Sequence, residues 1–132
     1  MSRIAEFLDL SPLGDDRFDA PIPDYGARPN LFGGQVAAQA LVAACRTVDD
    51  ALLPSSMHAY YVTSGARDQK LVMEVERVRD GRSFANRNVE ATQEGRIVLT
   101  LSAAMHRPEP GPVRERPAPV TPAPAELPHR SE

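Results

Sequence analysis

The chain has 132 residues, 15 basic and 18 acidic, for a net charge of −3, which is material for one folded domain and not two. A mixed, slightly acidic surface without a Lys/Arg run argues against a nucleic-acid binder. With no tryptophan, three tyrosines and four phenylalanines, there is no base-stacking platform either.

The N-terminal residues Met1-Ser2-Arg3-Ile4-Ala5-Glu6 place an acid where a secretory signal needs an apolar run, and no apolar stretch reaches the roughly 18 residues of a membrane span. Cys45 is the single cysteine, so no internal disulfide framework or cysteine zinc site is available. A cytoplasmic, soluble protein is expected.

Ile4, Phe7, Leu8 and Leu10 have helical spacing, which predicts a short amphipathic helix over residues 3 to 10, stopped at Ser11-Pro12. From Leu13 to Pro29 the chain reads as irregular, with a turn at Gly14-Asp15-Asp16 and a short edge strand at Arg17 to Ala20. The clearest helix runs from Gly34 to about Val48, rich in alanine and free of glycine or proline after its first turn. Its polar residues are only Gln35, Gln39, Arg46 and Thr47, so it has no wide solvated face and must be covered by its neighbours.

Strands follow. Ser56 to Val62 is aromatic and β-prone; Leu71, Met73 and Val75 alternate with Val72, Glu74 and Glu76 as far as Asp80-Gly81, a two-residue hairpin signal. A further strand spans Ser83 to Ala91 and ends at Glu94-Gly95, and a last one carries Ile97, Leu99, Leu101 and Met105 on one face. The predicted fold class is α+β, an antiparallel sheet wrapped around one long buried helix. Of the 13 prolines, eight lie between Pro108 and Pro128, so the folded domain is expected at residues 1–107 and a proline-rich tail or linker at 108–132.

Neither a nucleophile elbow nor a phosphate-binding glycine fingerprint occurs, and His58, His106 and His129 are isolated, not at metal spacing. Three segments stand out. In Asn30-Leu31-Phe32-Gly33-Gly34-Gln35, paired glycines at a helix start suit a loop that polarises a carbonyl oxygen or holds an anion, or one that merely permits a tight helix entry. On the strand His58-Ala59-Tyr60-Tyr61, His58 is either a general base or donor aimed at the same pocket, or a packed, hydrogen-bonded histidine. The hairpin Arg79-Asp80-Gly81-Arg82-Ser83-Phe84, with Arg87, presents cations either to a phosphorylated substrate or simply to solvent.

Together these segments resemble the acyl-CoA thioesterase II family of double hot-dog proteins. The resemblance rests on Leu31 to Leu41, Met57 to Val62, Val78 to Phe84 with Arg87-Asn88-Val89, and the stretch from Ser102 to Pro110. It spans roughly residues 5 to 112, and it implies a hot-dog fold and hydrolysis of fatty acyl-CoA by an activated water. No metal or organic cofactor is implied.

By that resemblance the chain corresponds to the first of two hot-dog halves, Gln35 stands where the second half carries its catalytic aspartate, and His58 matches a functional first-half histidine. It further implies that Gly33, Gly34 and Gln35 shape the acyl-thioester pocket, that Arg79, Arg82 and Arg87 contact pantetheine or phosphate, and that Gly81, Ser83 and Phe84 of the same hairpin bind substrate. The partner implied is a second hot-dog domain or a second copy. A non-catalytic acyl-CoA-binding subunit of the same fold is the alternative, because glutamine cannot act as a general base.

Overall fold

The computed structural model describes residues 3–23 and 29–127. His129 and Pro128 lie outside them. Six strands form one antiparallel sheet: β1 (Ser11–Gly14), β2 (Arg17–Ala20), β3 (Leu53–Tyr61), β4 (Leu71–Asp80), β5 (Phe84–Gln93) and β6 (Arg96–His106). Their spatial order is β1-β2-β4-β5-β6-β3, so β4, β5 and β6 make the expected meander and β3 closes the far edge.

Helix α1 covers only Arg3–Phe7, and α2 covers Gly33–Cys45. Every residue of α2 from Gln35 to Cys45 is buried or half-buried, as its alanine-rich, nearly apolar composition requires. Packed against it are Leu71 and Met73 of β4, Val89 and Ala91 of β5, and Leu99, Leu101, Ala103 and Met105 of β6, each at most 4% exposed. Small side chains on the helix let the curved sheet approach closely, which is how one helix fills the concave face.

Two local expectations are corrected. Ser11-Pro12 does not end a helix at a loop but lies in edge strand β1, a site where the missing proline N–H is harmless. Arg17 to Ala20 is therefore an interior strand, joined to β1 through a tight turn with Asp15 and Asp16 at positive φ.

The Asp80-Gly81 pair is not a two-residue hairpin turn. Asp80 pairs with Ala85, so the connection holds four residues, and Gly81 does not adopt positive φ. Glycine is needed there for space: a Cβ on Gly81 would meet the carbonyl oxygen of Phe84 at 2.7 Å. The primed turn occurs at Glu94-Gly95, where both residues have positive φ.

From Pro108 to Ala123 the chain is exposed and without regular structure, and Pro124–Glu126 form a 3₁₀ turn. No helix among the described residues is long and apolar enough to cross a membrane.

Candidate functional site

The start of α2 borders a cavity of about 310 Å³ lined by Leu31, Gly33, Val36, Val98 and the segment Tyr61 to Gly65. Phe32 precedes the helix in extended conformation and supplies no side-chain cap. The backbone N–H groups of Gln35 and Val36 both donate to the Phe32 carbonyl, at 3.0 and 3.3 Å. Among the described residues, the first-turn donors left over belong to Gly33 and Gly34, at the positive end of the helix dipole.

Tyr61, which the sequence reading did not single out, is the strand residue that reaches this point. Its hydroxyl donates to the Gly33 carbonyl at 3.1 Å. A Cβ on Gly33 would sit 2.8 Å from the Tyr61 ring, so the first glycine lets the aromatic ring lie directly on the helix start. The signal for Tyr61 was its parity: strand residues three apart face opposite ways, so Tyr61 and His58 cannot both serve one pocket.

His58 accordingly points away. It pairs with Ser102, which pairs with Asn88, which pairs with Glu76. These residues make a polar row on the outward face of the sheet: Ser102 Oγ donates to Asn88 Oδ1 at 2.8 Å, and Asn88 Nδ2 donates to Glu76 Oε2 at 2.9 Å. The His58 ring packs edge-on against Tyr60 at 4.6 Å between centroids. Helix α2 lies on the opposite face, so the expectation that His58 aims at the helix-start pocket is corrected by strand pleat.

Gln35 is 5% exposed, and its side chain also turns from the cavity. Its Nε2 donates to the Pro21 carbonyl at 3.2 Å and to Gln39 Oε1 at 3.4 Å. Gln39 Nε2 donates in turn to the Pro21 and Phe7 carbonyls at 2.7 and 2.8 Å. The two glutamines thus fasten α2 to the segments before it. Gln35 Oε1 is buried without a partner among the described residues.

The cationic hairpin lies at the other end of α2. Arg87 is entirely buried and its five N–H donors are all used within the chain. Nε donates to Thr47 Oγ1 (2.7 Å), Nη1 to the Arg79 and Asn86 carbonyls (2.8 and 2.9 Å), and Nη2 to the Thr47 carbonyl (2.9 Å) and to Asp80. No donor remains for a phosphate, so the expected phosphate contact at Arg87 is replaced by an internal clamp.

Arg79 and Arg82 remain exposed, beside Gly81, Ser83 and a half-exposed Phe84 that stacks on His106 at 4.5 Å. Within one chain, then, the structure brings Gly33, Gly34 and Tyr61 together and keeps Arg79, Gly81, Arg82, Ser83 and Phe84 roughly a helix length away, about 20 Å for 13 residues.

The cavity can hold an apolar chain against Leu31, Val36 and Val98 and offer N–H donors to an oxygen atom. Among the described residues its lining holds no carboxylate or imidazole to act as a base. Among the described residues no group of three or more His, Cys, Asp or Glu side chains is gathered to hold a metal ion.

Residues 22–106 match the family described as acyl-CoA thioesterase N-terminal domain. Human acyl-coenzyme A thioesterase 8 is 35% identical over 125 residues, 94% of this chain but 39% of that protein. The crystal structure of an acyl-CoA thioesterase II, TesB2, from Mycobacterium marinum superposes with a TM-score of 0.81 at 35% identity, over 93% of this chain and 45% of that one. A conserved protein with a hot dog fold from Alicyclobacillus acidocaldarius gives a TM-score of 0.78 at 25% identity, over 97% and 48%. The chain thus spans less than half the length of these relatives.

Proposed function

From its place in the acyl-CoA thioesterase family, to which this chain belongs as an N-terminal hot-dog domain, we propose that it serves in hydrolysing fatty acyl-CoA to free fatty acid and CoA as one half of a paired unit. The single observation carrying this reading is the cavity at the start of α2, lined by Leu31, Val36 and Val98 on one side and by Gly33 at the first turn of the helix. In that role the acyl chain lies against Leu31, Val36 and Val98, and the helix start polarises the thioester carbonyl. The attacking water takes its base from the other half, because neither Gln35 nor His58 turns a titratable group to the cavity.

Strand β3 supports pairing. It is a nine-residue edge with no Lys, Arg, Asp or Glu; its proline and register shift lie at one end, Pro54 to Ser56, and Met57, Tyr60 and Tyr61 stand exposed on the regular remainder. Protected edges are short or charged, and β1, with four residues and Pro12, is of that kind.

Two hot-dog domains joined edge to edge about a two-fold axis pair β3 antiparallel, so the Leu53 end of one strand meets the Tyr61 end of the other. Because Leu53 and Phe84 both pair with His106, the hairpin carrying Arg79 and Arg82 is then turned toward the partner's helix start. In this arrangement those two arginines reach the CoA phosphates of the neighbouring site. A cytoplasmic location accords with the single free cysteine.

The test is CoA release from medium- and long-chain acyl-CoA by the purified chain, alone and mixed with the C-terminal half of a related thioesterase. Turnover in the mixture is expected, and its absence overturns the hydrolytic reading. A second reading, a non-catalytic acyl-CoA-binding partner, is favoured by the absence of a carboxylate or imidazole among the described residues that line the cavity. It predicts binding of a thioether analogue of acyl-CoA with no turnover in either setting.

A further inference from the structure

Gln93, at the end of β5, is 1% exposed, and its hydrogen bonds are directed to one surface loop. Its Oε1 accepts from the Ala66 N–H at 2.7 Å, while Nε2 donates to the Ala66 and Gln69 carbonyls at 2.7 and 2.8 Å. The side chain thus mimics an extended peptide, pairing with Ala66 in both directions. Burying an amide costs free energy unless its donors and acceptor are matched. An apolar residue would fill the same space but leave the Ala66 N–H and the Ala66 and Gln69 carbonyls without this partner.

That loop is one wall of the helix-start cavity and also fixes the other wall. The Gly65 carbonyl accepts from the Leu31 N–H at 2.8 Å, and Ala66 bridges to Asn30. A Cβ on Gly65 would meet Leu31 Cδ1 at 2.7 Å and Gln93 Oε1 at 3.3 Å, so the loop, the segment leading into α2 and the Gln93 amide are in close contact. Further along, Thr63 is held to β6 by its own backbone and side chain, through the Val98 and Ile97 carbonyls.

We infer that Gln93 is a positioning residue for the helix-start cavity: through Ala66 and Gly65 it fixes Asn30 and Leu31, and hence the approach of Gly33 and Gly34 to a bound thioester. The inference rests on the proposed acyl-thioester site for its functional consequence, but its structural core stands on the hydrogen bonds alone. Gln93 touches no reacting atom. Its effect is to keep the Leu31 wall and the Tyr61-to-Gly65 wall in one register.

The test compares the intact chain with Gln93→Leu and with the near-isosteric Gln93→Glu, which keeps the acceptor for the Ala66 N–H and sets a second oxygen in place of the donating NH2 against the Ala66 and Gln69 carbonyls. Gln39→Leu, another buried glutamine substitution away from the cavity, is the control. Two quantities are read: amide hydrogen exchange at Leu31 and Ala66 relative to the core amide of Leu101, and affinity for the thioether analogue of a medium-chain acyl-CoA.

For both Gln93 variants, exchange at Leu31 and Ala66 is expected to rise about tenfold more than at Leu101, with affinity falling about tenfold. Gln39→Leu is expected to move all three amides together. If Leu31 and Ala66 follow Leu101 in the Gln93 variants as well, Gln93 is a core residue and the inference is overturned. If Gln93→Leu does not fold, Gln93→Glu carries the comparison. If the unmodified chain does not bind the analogue, the acyl-thioester reading fails, while the exchange measurement still decides the role of Gln93.

Discussion

Arg87 is joined to Thr47 twice, from Nε to the hydroxyl at 2.7 Å and from Nη2 to the carbonyl at 2.9 Å. The pair ties the middle of the sheet to the residue just past α2, and the same guanidinium holds the Arg79 carbonyl and Asp80 of the neighbouring strand. A buried charge survives here because every donor is matched.

Removing that match is costly. Arg87→Lys keeps the charge but offers three donors in place of five in a fixed fork, and we expect a loss of about 3 kcal/mol in urea unfolding. Arg82→Ala, at an exposed position, is expected to stay within about 0.5 kcal/mol of the parent while weakening CoA binding. Equal destabilisation by the two changes would contradict the clamp.

The glycines divide in the same way. Gly81→Ala drives a Cβ to 2.7 Å from a backbone oxygen, which cannot swing aside, and should cost about 1–3 kcal/mol. At Gly34 the obstacle is the Phe32 ring at 2.7 Å, a side chain that is 61% exposed. Gly34→Ala should therefore fold with unchanged or slightly raised thermal stability, since alanine favours the helix. A drop in Tm for Gly34→Ala as large as for Gly81→Ala would show that Phe32 is held in place.

Association through β3 is tested at Met57, the midpoint of the strand and 48% exposed. Met57→Lys puts a charge on the edge and should convert a dimer at micromolar concentration into a monomer by analytical ultracentrifugation. An unmodified chain that is already monomeric, or a variant that still dimerises, removes β3 as the pairing edge.

Acid sensitivity has a defined source at the β1–β2 turn. Arg77 donates to both carboxylate oxygens of Asp16, at 2.6 and 2.9 Å, and this hydrogen-bonded guanidinium holds the Asp16 carboxyl below its usual value. A depressed carboxylate stabilises the fold at pH above its unfolded value, about 3.9, and the contribution disappears as pH falls through the lower folded value. The pair is partly exposed, so it contributes about 0.5 kcal/mol. Arg77→Gln should be less stable than the parent by that amount at pH 6, with the gap closing toward pH 2. A gap that persists at pH 2 would mean that the loss is one of packing.

Much of the fold was legible from local pattern. The alternation of Leu71, Met73 and Val75, the Glu94-Gly95 turn and the nearly apolar stretch after Gly34 each correspond to the element found there. Strand β1 escaped because Ser11-Pro12 carries a helix-stop signal that is equally at home on a sheet edge. The glycine pair at the start of α2 was visible in the sequence, and the structure shows what its first member permits, the close approach of the Tyr61 ring to Gly33. The roles of Tyr61, Gln93 and Arg87 were not legible, because each is fixed by a partner 27 to 40 residues away in the chain.

By itself, the sequence determined that this protein would be a sheet around a small-residue helix with a glycine-paired helix start, because helix propensity, strand alternation and turn chemistry act over a few neighbouring residues. Only the tertiary structure decided which groups face the cavity. Strand pleat turned His58 outward and Tyr61 inward, burial enclosed Arg87 and Gln35 in internal hydrogen bonds, and the length of α2 separated the cationic hairpin from the helix start. Those outcomes depend on the register between strands distant in the chain, and register is set when the sheet closes on its helix.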